Sequence, residues 1–183
     1  MRIALIQQRA SRDAEANLER GVAAFARAVR AGAEMVVFPE LAFLPFLPGR
    51  RATARALARA ESIPGPTTDC FAALAARAGV VVVLNLFERR DGRTYDASPV
   101  IDADGALRGV ARMAHIMDGP GFRERGYYAP AEETDMVVRT RVGRVGVCIC
   151  YDRHFPEYMR GLGLAGAEFV AIPQAGTVGE WPP

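Results

Sequence analysis

The chain has 183 residues, of which 50% are hydrophobic and 24% charged, a balance that suits one globular domain and argues against disorder. Its net charge is +2, with no lysine and with scattered arginines, so the clustered basic face used for nucleic acid is not expected. The longest apolar run, Gly79 to Phe87, falls well short of the ~20 residues of a membrane span.

The start, "MRIALIQQRA", lacks a secretory h-region, and three cysteines are an odd count for a disulfide framework, so a cytoplasmic protein with reduced thiols is expected. Arg2 to Gln7 reads as a short strand. Leu18, Val22, Phe25, Ala26 and Val29 then fall at helical spacing, with Ser11 or Asp13 as N-cap and Gly32 as a stop. Glu34 to Glu40 reads as a buried strand ended by Pro39. Alanine-rich helices are expected over Ala52–Ala60 and Thr68–Ala78, separated by a turn at Pro64–Pro66.

Strands follow at Val80–Phe87, Tyr95–Ile101, Leu107–Met113, Asp135–Thr140 and Arg144–Ile149, with Asp-Gly hairpin signals in "RRDGR" and "ADGA". "FPEYMRGLGLAGA" reads as a helix and "EFVAIP" as a last strand. Neither a repeat nor a linker interrupts this order, and the alternation predicts a mixed sheet with packed helices.

Two residues stand at strand ends where reactive groups gather. Glu40 closes one apolar strand, where partial desolvation would raise its pKa, and Cys150 closes another. Periodicity alone leaves the plainer roles open, a loop cap for Glu40 and a core filler for Cys150. A metal site at Cys148, Cys150 and His154 lacks a fourth ligand nearby. A dyad of Cys150 with His115 or His154 is a further alternative.

Three stretches together resemble the carbon-nitrogen hydrolase (nitrilase) family: "VVFPEL", "ARMAHIMDGPGFRERGYYAPAEE" and "GVCICYDRHFPE". The resemblance implies an α/β fold, the α-β-β-α sandwich with mixed sheets, as one domain over residues 1–183 that is short at its C-terminal end. It further implies a general base at Glu40, a nucleophile at Cys150, a supporting acid at Glu124, a histidine at His115 and an oxyanion donor in the backbone N–H of Tyr151. The implied reaction is hydrolysis of a non-peptide C–N bond through a thioester, with no metal or cofactor. "CYDRHFPE", "GLAGAEFV" and "DGPGF" are similar to the N-carbamoyl amidase branch, which includes β-ureidopropionase. A small amide or carbamoyl substrate and a homo-oligomer are then the expected partners.

Several positions depart from the family pattern. Met113 stands where the family has a lysine, and methionine can neither donate a hydrogen bond nor carry charge. Loss of one oxyanion donor commonly removes roughly a hundred- to a thousandfold in rate. Without that cation, Glu40 and Glu124 raise one another's pKa. Arg112 is adjacent to Met113, but neighbouring strand residues point to opposite faces. Asp96 replaces the usual asparagine, and Gln174 is a changed residue near the expected substrate rim. Arg153 and His154 are candidates to meet a substrate carboxylate, or else to bond to backbone. The alternative function is a catalytically silent relative that binds a ligand or partner.

Overall fold

The computed structural model describes residues 1–133 and 136–175. Three short strands, β1 (Ile3–Leu5), β2 (Met35–Val37) and β3 (Val81–Val83), pair in parallel. β5 (Arg93–Ile101) runs antiparallel to β3 and, further along the same edge, to β4 (Leu86–Arg90). β6 (Leu107–Arg112) takes the other edge of β5. A second sheet has β10 (Gly143–Val147) at its centre, antiparallel to β9 (Val137–Thr140) and parallel to β11 (Phe169–Ala171). A small hairpin joins β7 (Asp118–Gly119) to β8 (Phe122–Arg123).

Side-chain alternation along these strands builds the layers. Val36 and Val82 face α1 (Ala14–Arg30) and α3 (Pro66–Ala78), where Phe25, Ala28, Phe71 and Ala75 complete one core. Met35, Val37, Val81 and Val83 face the opposite way and meet Val145, Val147, Ile149 and Ala171 between the two sheets. On the outer face of the second sheet, Cys148 packs with Tyr158 and Leu162 of α4 (Pro156–Leu164). The order is helix, sheet, sheet, helix, the expected sandwich with two mixed sheets.

The helix ends follow local chemistry. Asp13 caps α1 by accepting from Ala16 N at 3.1 Å, while the other candidate, Ser11, is engaged with Asn17. Pro66 occupies the first turn of α3, where its missing N–H costs nothing, and Gly79 ends the helix at φ +66°. The helix expected over Ala52–Ala60 is only one turn, α2 (Ala54–Leu57).

Two expected strands are corrected. The run Val80–Phe87 divides into β3 and β4, because Asn85 leaves the ladder to hydrogen-bond elsewhere through its side chain. The strand expected over Glu34–Glu40 ends at Val37, and Glu40 lies in the turn that follows. Asp135, the first residue of another expected strand, lies outside the described residues.

Arg112 bonds both oxygens of the fully buried Glu88 at 2.6 Å, and its guanidinium also lies 5.4 Å from the centre of the Tyr95 ring. Removing one partner from a buried pair leaves the other charge uncompensated. Arg112→Met should therefore lower the unfolding free energy by about 3–5 kcal/mol, read from urea denaturation.

Candidate active site

Two left-handed residues deliver the acid and the thiol to one place. Leu41, at φ +48°, turns the chain just after Glu40, and its N–H donates to Asn85 Oδ1 at 2.7 Å. Cys150 itself has φ +43° and opens a 3-10 turn, Cys150–His154. Regular alternation would carry Cys150 to the α4 side with Cys148, but the left-handed residue moves it into the core between the sheets. Such a backbone costs on the order of 1–3 kcal/mol for a residue other than glycine, and strain of this kind gathers at functional sites.

The segment after β11 ties the two together. Cys150 N donates to Pro173 O at 2.9 Å, and Ala175 N donates to Glu40 Oε2 at 2.6 Å. Gln174, half-buried, stands between these two anchors.

Glu40 is 4% exposed, and its carboxyl lies beside the Cys150 thiol and the Asp96 carboxyl. Burial raises Glu40 to about 7, and the nearby charge of Glu124 adds to the rise. Cys150 is pushed up, first by burial and then by the charges of Glu40, Asp96 and Glu124. The resting pair is therefore a thiol beside a carboxyl rather than a free thiolate.

Glu124 is fully buried in the 3-10 turn after β8, accepts from Met117 N at 3.0 Å, and is likewise raised to about 7 by burial. Its backbone carbonyl accepts from Tyr127 N and Tyr128 N at 2.7 and 2.8 Å. Tyr128 is buried beside the same acids, and its pKa too is raised, chiefly by burial.

Met113 is completely buried in the same cluster as Cys150, Tyr127 and Tyr128, and its N–H donates to Asp96 O at 2.9 Å. Its neighbour Arg112 turns the other way, onto Glu88, as strand alternation requires. Arg153 donates through Nη1 to Cys150 O at 2.6 Å, and the same nitrogen lies 3.9 Å from Sγ. Tyr151 is partly buried against the inter-sheet core, and its ring meets those of His154 and Phe155.

His115 pairs with Asp152 rather than serving as a base for Cys150. Its Nδ1 is 2.7 Å from Asp152 Oδ1, and its ring stacks on Phe155 with centroids 3.6 Å apart. Asp152, fully buried, also accepts from His115 N at 2.8 Å and from Ala114 N at 3.3 Å. These bonds pin the segment carrying Met113 against the turn carrying Cys150. Among the described residues, no group of three acidic, histidine or cysteine side chains is placed to hold a metal ion.

Sequence reasoning missed the parts played by Asn85, Asp152 and Ala175. Asn85 had a signal, since it is the one polar residue inside "VVVVLNLF". Ala175 acts through its backbone and had none.

The raised carboxyls predict a pH dependence of stability. A carboxyl raised on folding binds its proton more tightly in the folded chain, so its contribution is full below 4.5 and is lost as pH rises through about 7. Stability should fall over that interval, and Glu124→Gln should flatten the fall in urea titrations run at stepped pH.

The family profile described as carbon-nitrogen hydrolase matches residues 2–182. N-carbamoylputrescine amidase of Solanum lycopersicum is 40% identical over 118 residues, covering 64% of this chain and 39% of the relative. Citrullinase of Francisella tularensis is 32% identical over 177 residues, covering 96% of this chain and 61% of the relative. A carbon-nitrogen hydrolase from Helicobacter pylori superimposes with a TM-score of 0.91 at 27% identity, covering 98% of this chain and 62% of that one. An amidase from Nesterenkonia gives 0.80 at 25% identity, covering 98% and 66%. The chain thus spans less than two thirds of either curated relative.

Proposed function

Because this chain belongs to the carbon-nitrogen hydrolase family, we propose that it hydrolyses a non-peptide C–N bond, with Cys150 as nucleophile and Glu40 as general base. The placing of the Glu40 carboxyl beside the Cys150 thiol, both tied to the segment Pro173 to Ala175, carries the reading. It is supported by the value of about 7 for Glu40, which leaves the base partly ionised at neutral pH and still able to bind a proton.

In the proposed reaction the sulfur bonds to the carbonyl carbon while its proton passes to Glu40, because a free thiolate is disfavoured in this acidic surrounding. Charge develops on the carbonyl oxygen, where the Tyr151 N–H is the proposed donor. The nitrogen leaves with the proton held by Glu40, and the sulfur remains bound as a thioester. Water then gives a proton to Glu40, attacks the thioester and restores the thiol. Glu124 supports the site by holding the segment around Met117 through its hydrogen bond.

The N-carbamoyl group is the proposed substrate class, supported by the likeness to N-carbamoylputrescine amidase and by the carboxamide end it shares with a simple amide. Its products would be an amine, carbon dioxide and ammonia. Arg153, His154 and Gln174 are proposed for the rim. The same proposal takes residues 1–183 as one domain of a cytoplasmic protein that pairs with copies of itself. No described helix is long and apolar enough to cross a membrane, and exposed Leu164 and Ile172 are where self-contact would be sought.

The test is ammonia release from a small primary amide and from an N-carbamoyl amine, with Cys150→Ala as control. A thiol-directed probe should label Cys150 faster than Cys148, because Glu40 stands beside Cys150 to take its proton whereas Cys148 packs against Tyr158 and Leu162. Equal labelling would count against a working nucleophile. One observation favours the silent alternative, the burial of Met113 where the family has its lysine. That alternative requires no turnover of either substrate.

A further inference from the structure

The contact between Glu40 and Asp96 brings together two carboxyl groups that are 4% and 0% exposed. Like charges in such contact cannot both be carried without a cation, so the pair holds a proton. The surrounding hydrogen bonds show which oxygen has room for it.

Asn85 fixes the orientation. Its Oδ1 accepts from Leu41 N at 2.7 Å, so its amide nitrogen is the end that faces β5. That nitrogen donates to Asp96 Oδ1 at 2.5 Å and to Ser98 Oγ at 3.1 Å. Asp96 Oδ1 is therefore an acceptor. Glu40 Oε2 is also an acceptor, from Ala175 N at 2.6 Å.

The oxygens left over are Asp96 Oδ2 and Glu40 Oε1, each buried and with no hydrogen-bond donor among the described residues. A single hydrogen between the two carboxyls satisfies both. Among the described residues Asp96 has no donor besides Asn85, whereas Glu40 accepts from a backbone amide, which favours its charged form.

We propose that Asp96 is a positioning residue that keeps a proton at neutral pH and donates it to Glu40, holding that carboxylate ionised and aimed at Cys150. An asparagine at this position would offer an amide N–H in the same direction. Protonated aspartate and asparagine are close in shape, so the exchange conserves the donor.

Other groups facing the pair are Cys150 and Asp152 from the 3-10 turn after β10, Glu124 from the turn after β8, and Tyr128 beside it. Arg153 reaches the Cys150 side of the cluster. The two further carboxyl groups, Asp152 and Glu124, add negative charge around the pair, which strengthens retention of the proton. The consequence for catalysis rests on the reading of Glu40 as base; the protonation of Asp96 does not.

Two measurements test the proposal. In the first, infrared spectra of wild type and Asp96→Asn are compared at neutral pH. A carboxylic acid C=O band present in wild type and lost in Asp96→Asn is expected, and the same band in both would overturn the proposal. The comparison is repeated at about pH 8.5, where Glu40 and Glu124, each raised to about 7, are largely ionised and leave the band to Asp96.

In the second, Cys150 alkylation is followed against pH by mass spectrometry. Asp96→Leu removes a donor to Glu40, so the midpoint of the acid limb should move up by about one pH unit, whereas Asp96→Asn should hold it. If Asp96 were ionised, Asp96→Leu would remove a like charge and move the midpoint down. A downward shift or none overturns the proposal. Should Asp96→Leu not fold, the infrared comparison decides. Glu40→Gln separates the two readings: alkylation unaffected by Glu40→Gln would remove the general base, whatever the infrared result on Asp96.

Discussion

Glu40→Gln is expected to slow hydrolysis by about 10²- to 10⁴-fold, the usual contribution of a general base, while making the folded chain more resistant to urea above neutral pH. The two effects have one origin. Burial holds Glu40 at about 7, so at higher pH the folded protein carries a buried charge that the unfolded chain carries in water. Glutamine keeps the shape and can still accept from Ala175 N through its carbonyl oxygen, but it has no charge to desolvate and cannot take the thiol proton. Opposite movement of rate and stability in one variant distinguishes this account from simple damage, which would lower both. If the stability of Glu40→Gln matched wild type at pH 8, the burial argument would be wrong; if the rate were unchanged, Cys150 would have another base.

The layers of the sandwich were legible because they depend on buried apolar strands, which Val80 to Val83 mark as a continuous run and Val145 to Ile149 as a period-2 alternation. Cys148 shows the same rule, since its neighbours Val147 and Ile149 face the other sheet while it meets α4. The positions of Glu40 and Cys150 at strand ends were legible too. How they meet was not, because it depends on left-handed turns at Leu41 and Cys150, residue types that give no sign of adopting them. Asn85 was hidden for a related reason. Inside an apolar run it reads as a tolerated polar residue, and only tertiary pairing reveals that it interrupts the strand and orients Asp96. Asp96 was noticed as a departure, but a sequence does not tell whether an acid is ionised.

Met113→Lys is expected to raise turnover by roughly a hundred- to a thousandfold, the size of effect attached to one oxyanion donor in a water-excluded site. The substitution is favourable in shape, because both side chains are unbranched and Met113 already occupies the buried cluster that contains Cys150. It is also favourable in charge. An ammonium group among Glu40, Asp96 and Glu124 would pull all three carboxyl pKa values down, which keeps Glu40 ionised at neutral pH and restores a donor for the developing oxyanion. The same change has a signature that needs no substrate. Wild type should lose stability between 4.5 and about 7 as its buried acids ionise, whereas Met113→Lys should flatten or reverse that slope, since the charged acids would then have a cation. A reversed slope without a gain in rate would place the ammonium among the acids but away from the reacting carbonyl, and the silent alternative would gain. An unchanged slope in a folded variant would mean that the side chain at position 113 does not face the carboxyl cluster, and the rate prediction would fall with it.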